Sequence, residues 1–327
     1  AGIYIKQRVH QIMEKIKIGA SACLLGEKVR YDGGHALDRY ITETLGQYFE
    51  WVPVCPEVEY GLPVPREAMH LTGEPASPRL VTVMTGIDHT DGMKKWAADK
   101  LSRLEKEDLC GFIFRSKSPS SGIGGIKVYS SSGITGNKAT GIFGGAFMHY
   151  FPLIPAIDDG RLHNPDLREN FIEQVIVYNR WQEFLKKGGK IRELIAFHTD
   201  LKLLILSHSP KHYSALGILV ARAKKYRPDA LYSEYIKILM EGLRLLATVK
   251  KNTNVLLHIA GYFKKQLSSD DKRELLEVIE EYLKGYIPLI VPVVLLNHYV
   301  RKFDKPYLKT QFYLNPHPVE LMLRNHV

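Results

Sequence analysis

The hydrophobic pattern of this chain changes period at the Gly188-Gly189 pair. Ahead of it, short apolar or alternating runs recur between turn residues: KIGASACL near Lys17, WVPVCPEV near Trp51, RLVTVMTG near Arg79 and GFIFRSK from Gly111. Between the last two lies DGMKKWAADKLSRLEKEDL, with an aspartate cap signal and apolar Trp96, Leu101 and Leu104. Strand, helix, strand with turn residues between them is the pattern of a mostly parallel α/β sheet. A further apolar run, Phe151 to Ile157, leads through DDGRLHNPD into a helix from Asp166 to about Lys187. Behind the glycine pair, apolar positions recur every three or four residues, punctuated by Pro210, Pro228 and Ser268-Ser269-Asp270. That half reads as all-α. The expected organisation is an α/β domain over 1–188 and a helical domain over 189–327.

Length supports two domains, since 327 residues exceed what a single core usually holds, about 250 to 300. An apolar fraction of 45% with 24% charged residues excludes a disordered or collagen-like chain. The charge is not spread evenly. Trp181 to Val327 carries 24 Lys and Arg against 14 Asp and Glu, which is the whole formal excess of +10. A basic half beside a neutral one points to a polyanion, either nucleic acid or an anionic membrane surface. Three cysteines argue against a disulfide framework and for a reducing compartment. The opening AGIYIKQRVHQIMEKIKIG lacks the apolar core of a secretory signal. Ile287 to Leu296, the longest apolar run, falls short of the roughly 20 residues of a spanning helix. The expectation is a cytoplasmic protein that does not enter the membrane.

In open α/β sheets, chemistry collects beyond the carboxyl ends of the strands. SACLLG, CPEVE and SKSPSSG each follow a strand-like run directly, so a Rossmann-like sheet would gather them on one rim. A lone cysteine is usually a small buried hydrophobe, and a glutamate in a proline-flanked turn is usually solvated. Here the neighbours raise a different possibility: Pro56-Glu57 after Cys55, Leu-Leu-Gly after Cys23, and a hydroxyl-rich loop at 118–122.

SACLLGEKVRYDGG from Ser21, VCPEVEYGLPVPR from Val54 and GFIFRSKSPSSG from Gly111 resemble the three signature segments of the thiouracil desulfidase (TudS-like) family. FHTDLKLLILSHS, NVLLHIAGYFKK and YLKTQFYLNPHPVELMLRN resemble the helical domain of the long tRNA 4-thiouridine desulfidases (RudS-like). The resemblance implies a [4Fe–4S] cluster on three cysteines, thiolates being soft donors for iron. It implies that an open iron polarises the thiocarbonyl sulfur while water attacks the ring carbon, releasing uracil and sulfide with no net redox change. By position, Glu57 and Ser118 match the family's acid–base pair, chemically suited to moving the water proton. The cluster positions are Cys23, Cys55 and Ser121.

The third of these departs from the family pattern, which ends SKSPSCG where this chain has SKSPSSG. Cys110 stands 11 residues earlier on the same expected strand, too far along it to substitute. That leaves an oxygen ligand at Ser121, an incomplete or lost cluster, or a replaced cysteine, and in each case an impaired enzyme.

Arg30 and Asp32 in VRYDGG, with Lys117, are expected to contact the pyrimidine or a phosphate. Gly33-Gly34 and the glycines of 122–125 match neither a P-loop nor a dinucleotide fingerprint, and tight turns explain them as well. In the helical half, Arg222, Lys224, Lys225 and Arg227, then Lys250 and Lys251, then Lys264 and Lys265 suit RNA phosphates, with Tyr226, Tyr262 and Phe263 as stacking surfaces. The ordinary reading of each cluster is a solvated helix face. His198, His208, His258 and His298 lack metal-ligand spacing and read as core or capping residues. Three functions follow: a tRNA 4-thiouridine desulfidase, a desulfidase for free thiouracil with a structural helical domain, or a non-enzymatic RNA-binding protein.

Overall fold

The computed structural model describes residues 15–130 and 133–326. Most of the opening segment read for a secretory signal therefore lies outside the described residues. The chain divides into two compact units, one ending at Asn164 and one beginning at Pro165.

The first unit is built on β1 (Ile16–Ser21), β2 (Phe49–Val54), α1 (Pro56–Tyr60), β3 (Met69–Glu74), β4 (Ser77–Thr82), α2 (Thr90–Leu104), β5 (Phe112–Phe114), β6 (Ile126–Ser130), β7 (Gly133–Ala139), α3 (Ile142–Tyr150), β8 (Ala156–Asp158) and α4 (Asp159–Leu162). One sheet has the order β2-β1-β5-β8, and every pairing in it is parallel. Ile18, Ala20, Phe112, Ile113 and Phe114 are fully buried, as expected of strands covered on both faces. Between them Gly19 is obligatory, because a Cβ there would run into the Phe112 ring.

The RLVTVMTG run is a strand, yet it lies outside this sheet. It is β4, antiparallel to β3 in a second sheet of order β4-β3-β6-β7. Only Pro75 and Ala76 join β3 to β4, and so short a connection permits a hairpin but no parallel crossover. Leu71, Leu80, Met93, Val128 and Ile142 form the core beside that sheet, with α2 supplying Met93.

The second unit is helical throughout: α5 (Pro165–Lys186), α6 (Ile191–His208), α7 (Pro210–Ala221), α8 (Pro228–Leu243), α9 (Val249–Gly261), α10 (Ser269–Leu283), α11 (Ile290–Lys302) and α12 (Pro306–Lys309). The pattern break at Gly188-Gly189 is a helix terminus inside this unit. Gly188 sits at φ 96° and Gly189 at φ 54°, the left-handed geometry that ends helices. Helix α5 packs onward from there, with Trp181 stacked on Tyr235 at 5.4 Å and Phe184 on Phe197 at 6.0 Å. Its polar inner face is satisfied by ions: Glu173 meets Arg324 at 2.9 Å and His208 at 3.1 Å, while Glu169 meets Arg324 at 2.8 Å.

Candidate active site

The carboxyl ends of all four parallel strands bear polar or sulfur-bearing side chains. After β1 the chain makes a short turn, Ala22–Leu25, closed by Gly26 at φ 95°, and Cys23 lies in it. After β2, Cys55 caps α1, with Pro56 in the first turn, where its missing N–H costs nothing. After β5 comes the loop Arg115 to Gly122, and after β8 comes Asp159. Topology alone thus brings three segments distant in sequence to one rim.

Asp159 fastens the start of the loop: its Oδ1 accepts from Ser116 N at 2.7 Å and its other oxygen pairs with the Arg115 guanidinium. Ser21 Oγ accepts from Arg115 N at 2.9 Å. Lys117 follows with φ 59°, an uncommon conformation for a residue with a side chain. The far end of the loop sits on the start of α3. Phe143 N donates to Ser120 O at 2.7 Å, and Gly141 N to Gly122 O at 2.7 Å. Such close backbone approach requires glycine, since a Cβ at Gly144 would lie 2.6 Å from the carbonyl oxygens of Ser121 and Gly122.

Within this frame the expected acid–base residues are linked, though indirectly. Ser120 Oγ donates to Glu57 Oε1 at 2.5 Å, and Ser118 Oγ is 2.9 Å from Ser120 Oγ. Glu57 Oε2 in turn accepts from Cys55 Sγ at 3.5 Å. Ser120 and Arg66 were not singled out from the sequence. Arg66 donates through Nη2 to Val29 O at 2.9 Å and stands 3.7 Å from Glu57 Oε2. Its Nε is buried and has no hydrogen-bond partner among the described residues.

Both thiols of the rim are held protonated. Burial pushes Cys23 up to about 11; the Glu57 and Asp159 charges add to this, and Arg115 and Arg30 oppose it. Cys55 is pushed up to about 12, by burial first and then by the adjacent Glu57, against a Val58 backbone hydrogen bond and Arg66. One carboxylate therefore acts electrostatically on both thiols, and it touches Cys55 directly.

Ser121 is buried, and its N–H donates to Ser118 Oγ at 3.2 Å. Its hydroxyl has no hydrogen-bond partner among the described residues. Cys110 lies at the opposite end of the sheet, its N–H bonded to Lys17 O at 2.9 Å and its Sγ to Asp108 O at 3.6 Å. The rim accordingly offers two thiols and a hydroxyl. That set does not fit a cluster held by three thiolates: it is one soft donor short, and no other cysteine is on this side of the sheet.

Of the expected substrate contacts, Arg30 pairs with Asp32 at 3.1 Å, and Asp32 Oδ1 accepts from Gly34 N at 3.0 Å. Arg30 is close enough to Cys23 to lower its thiol. Lys117 is exposed.

In the second unit, Arg222, Lys224, Lys225, Arg227, Lys250, Lys264 and Lys265 are exposed. Lys251 differs: its Nζ donates to His208 O at 2.7 Å and Leu246 O at 2.9 Å, tying two chain segments together. Phe263 is wholly buried, a core residue and not a stacking surface, because it faces Tyr299 and Phe303. His198 and His208 are core residues, whereas His258 and His298 are exposed. Glu169, Glu173 and His317 bring possible ligand atoms within 4.8 Å of one another, but Arg324 already pairs with both carboxylates. No helix among the described residues is long and apolar enough to cross a membrane.

A parallel sheet whose successive strand ends supply thiols, a carboxylate and a serine loop is the framework of an α/β enzyme domain. The chain belongs to the 2-thiouracil desulfurase family, whose model matches residues 18–159, and a desulfidase is thereby the activity class of its first unit. Residues 202–318 match a second family, described as a protein of unknown function, DUF1722. Among curated relatives, the uncharacterized protein YbgA of Escherichia coli is 32% identical over 143 residues, covering 43% of this chain and 85% of that protein. The uncharacterized protein YbbK of Bacillus subtilis is 32% identical over 127 residues, covering 37% of this chain and 83% of that protein. A solved structure of a [4Fe-4S]-dependent thiouracil desulfidase, TudS, is 29% identical, covers 47% of this chain and 97% of its own, and superposes with a TM-score of 0.37.

Proposed function

We propose that this chain is built to remove sulfur from 4-thiouridine in tRNA, giving uridine and sulfide, and that Ser121 leaves the activity impaired. The observation that carries the desulfidase reading is the relay Glu57, Ser120, Ser118 beside the Cys55 thiol. Replacing a thiocarbonyl sulfur by oxygen requires that a water lose a proton as it attacks the ring carbon. Glu57 is the base positioned to take it, and the two hydroxyls offer a path along which it is passed on. Arg30, Asp32 and Lys117 would orient the pyrimidine. The resemblance of the signature segments implies a [4Fe–4S] cluster. Cys23 and Cys55 would be two of its ligands, and Ser121 stands where the third thiolate belongs.

The RNA half of the reading is supported by charge. All of the chain's excess of +10 falls in its last 147 residues, counted from Trp181, and most of the expected phosphate contacts are exposed there. A thiolated base would have to leave its stack to meet a rim of this kind. The proposed setting is cytoplasmic, with tRNA as the partner.

The test uses tRNA carrying 4-thiouridine, incubated anaerobically with the iron- and sulfide-reconstituted chain and with its Ser121→Cys form. Loss of the thiouracil absorbance band is expected to be slow with the first and fast with the second. No loss with Ser121→Cys, once iron analysis shows the cluster in place, sinks the proposal. Turnover of free 4-thiouracil but not of the tRNA would instead make the helical unit structural.

A further inference from the structure

In the second unit three rings from two helices meet at the surface. Tyr262, the residue that ends α9, stacks on Tyr307 of α12 with centroids 5.6 Å apart and planes at 24°. His258, one turn earlier on α9, meets Tyr262 edge to face at 5.7 Å. Tyr213 of α7 is near enough to Tyr307 to act on its hydroxyl. Helix packing alone would bury such rings, as it does Phe263 next door. Tyr262 instead remains 40% exposed, His258 is exposed, and Tyr213 and Tyr307 are half-buried.

The surroundings say what kind of partner this face suits. Lys264 and Lys265 follow Tyr262 at the same helix end, both exposed and without an ion-pair partner among the described residues. Leu257, on the same helix, is 46% exposed. Asp200 of α6 is the one acidic group that acts electrostatically on Tyr307 among the causes of its raised hydroxyl, whereas two cations adjoin Tyr262 in the chain. Partly exposed rings followed directly in the chain by exposed cations match a nucleobase and its phosphate, and every base has a face to stack.

We propose that Tyr262 and Tyr307, with His258 edge-on to Tyr262, form a stacking platform for unpaired RNA bases, and that Lys264 and Lys265 hold the adjoining phosphates. The inference rests on the RNA reading given above and adds to it the pairing of Tyr262 with Tyr307 and the strandedness of the RNA. A duplex hides its base faces, so it would meet the lysines but not the rings.

The test measures the anisotropy of a fluorescein-labelled, unmodified RNA dodecamer, single-stranded or as a blunt duplex, titrated with the full chain at fixed ionic strength. Unmodified RNA keeps the result independent of desulfuration. Tyr262→Ala is expected to weaken single-strand binding roughly tenfold or more, the usual worth of one stacked base, and duplex binding less than about twofold. Tyr262→Phe, which restores the ring, is expected to bind as the parent does. Lys264→Gln with Lys265→Gln should weaken both RNAs and flatten the salt dependence. Equal single-strand affinity for the parent and Tyr262→Ala overturns the platform, as does an equal loss on both RNAs. If the parent binds neither RNA, the RNA reading falls together with the platform. A silent Tyr262→Ala in a chain that does bind RNA removes the platform alone.

Discussion

Ser120 donates its hydroxyl to Glu57 Oε1 at 2.5 Å and so connects that carboxylate to Ser118, which it meets at 2.9 Å. If Glu57 is the base, its loss should cost the factor typical of general base catalysis, about 10²- to 10⁴-fold in kcat. Ser120→Ala cuts the relay but keeps the carboxylate, so a smaller fall is expected. Measured on thiolated tRNA in the Ser121→Cys background, a Glu57→Gln enzyme with undiminished kcat would remove Glu57 from the mechanism.

The position of the three cysteines gives a second expectation, read from iron and not from turnover. Cys23 and Cys55 follow β1 and β2 at the rim, whereas Cys110 is bonded to Lys17 O and Asp108 O at the other end of the sheet. In anaerobically reconstituted Ser121→Cys protein, Cys23→Ser and Cys55→Ser should each sharply reduce bound iron and the visible absorbance of the cluster. Cys110→Ser should leave both unchanged. Equal iron loss from all three variants would place the cluster elsewhere.

These residues differ in how far the sequence alone revealed them, and the difference is physical. The parallel sheet was legible because strands buried on both faces read as apolar runs, and the rim followed from topology. β3 was not legible: MHLTGE carries two apolar side chains among polar ones. Without it, the neighbouring β4 was assigned to the parallel sheet. Glu57 and Ser118 were picked out by resemblance, but the bridging role of Ser120 depends on which of the adjacent hydroxyls turns toward α1, a matter of loop geometry. Arg66 reaches Glu57 only because a fold-dependent contact with Val29 O holds it there. In the helical half, composition located the charge correctly but did not distinguish Lys251, engaged with two carbonyls, from its exposed neighbour Lys250.

The seating of the serine loop on α3 is open to a test of stability. A Cβ at position 144 would meet the Ser121 and Gly122 carbonyl oxygens at 2.6 Å, and backbone has little room to give. Gly144→Ala is expected to destabilise the first unit by about 1–3 kcal/mol, the usual cost of overpacking, and to reduce iron retention in the Ser121→Cys background because residue 121 shifts with the loop. An unchanged melting temperature would mean that the loop moves freely over the helix.

The buried Glu173–Arg324 pair in the second unit gives a prediction with a sign in pH. Burial pushes the Glu173 carboxyl up, but its His208 hydrogen bond and the Arg324 charge outweigh this and bring it down to about 2. A carboxyl whose folded value lies below its unfolded one, about 4.3, stabilises the fold above the unfolded value. That contribution is lost as pH falls toward the folded value. Arg324→Met leaves Glu173 and Glu169 without the cation they share, at a cost of about 3–5 kcal/mol near neutral pH. With the arginine gone, burial raises the carboxyl, and protonation then relieves the uncompensated charge. The gap in urea-unfolding stability between the parent and Arg324→Met should therefore be widest near pH 7 and narrow steadily from about pH 5 to pH 3. Adding Glu173→Gln to Arg324→Met should recover part of the loss at pH 7. A gap that is constant over this range would show that the arginine acts through packing on Tyr313, whose ring lies 5.0 Å from its guanidinium, and not through the carboxylate.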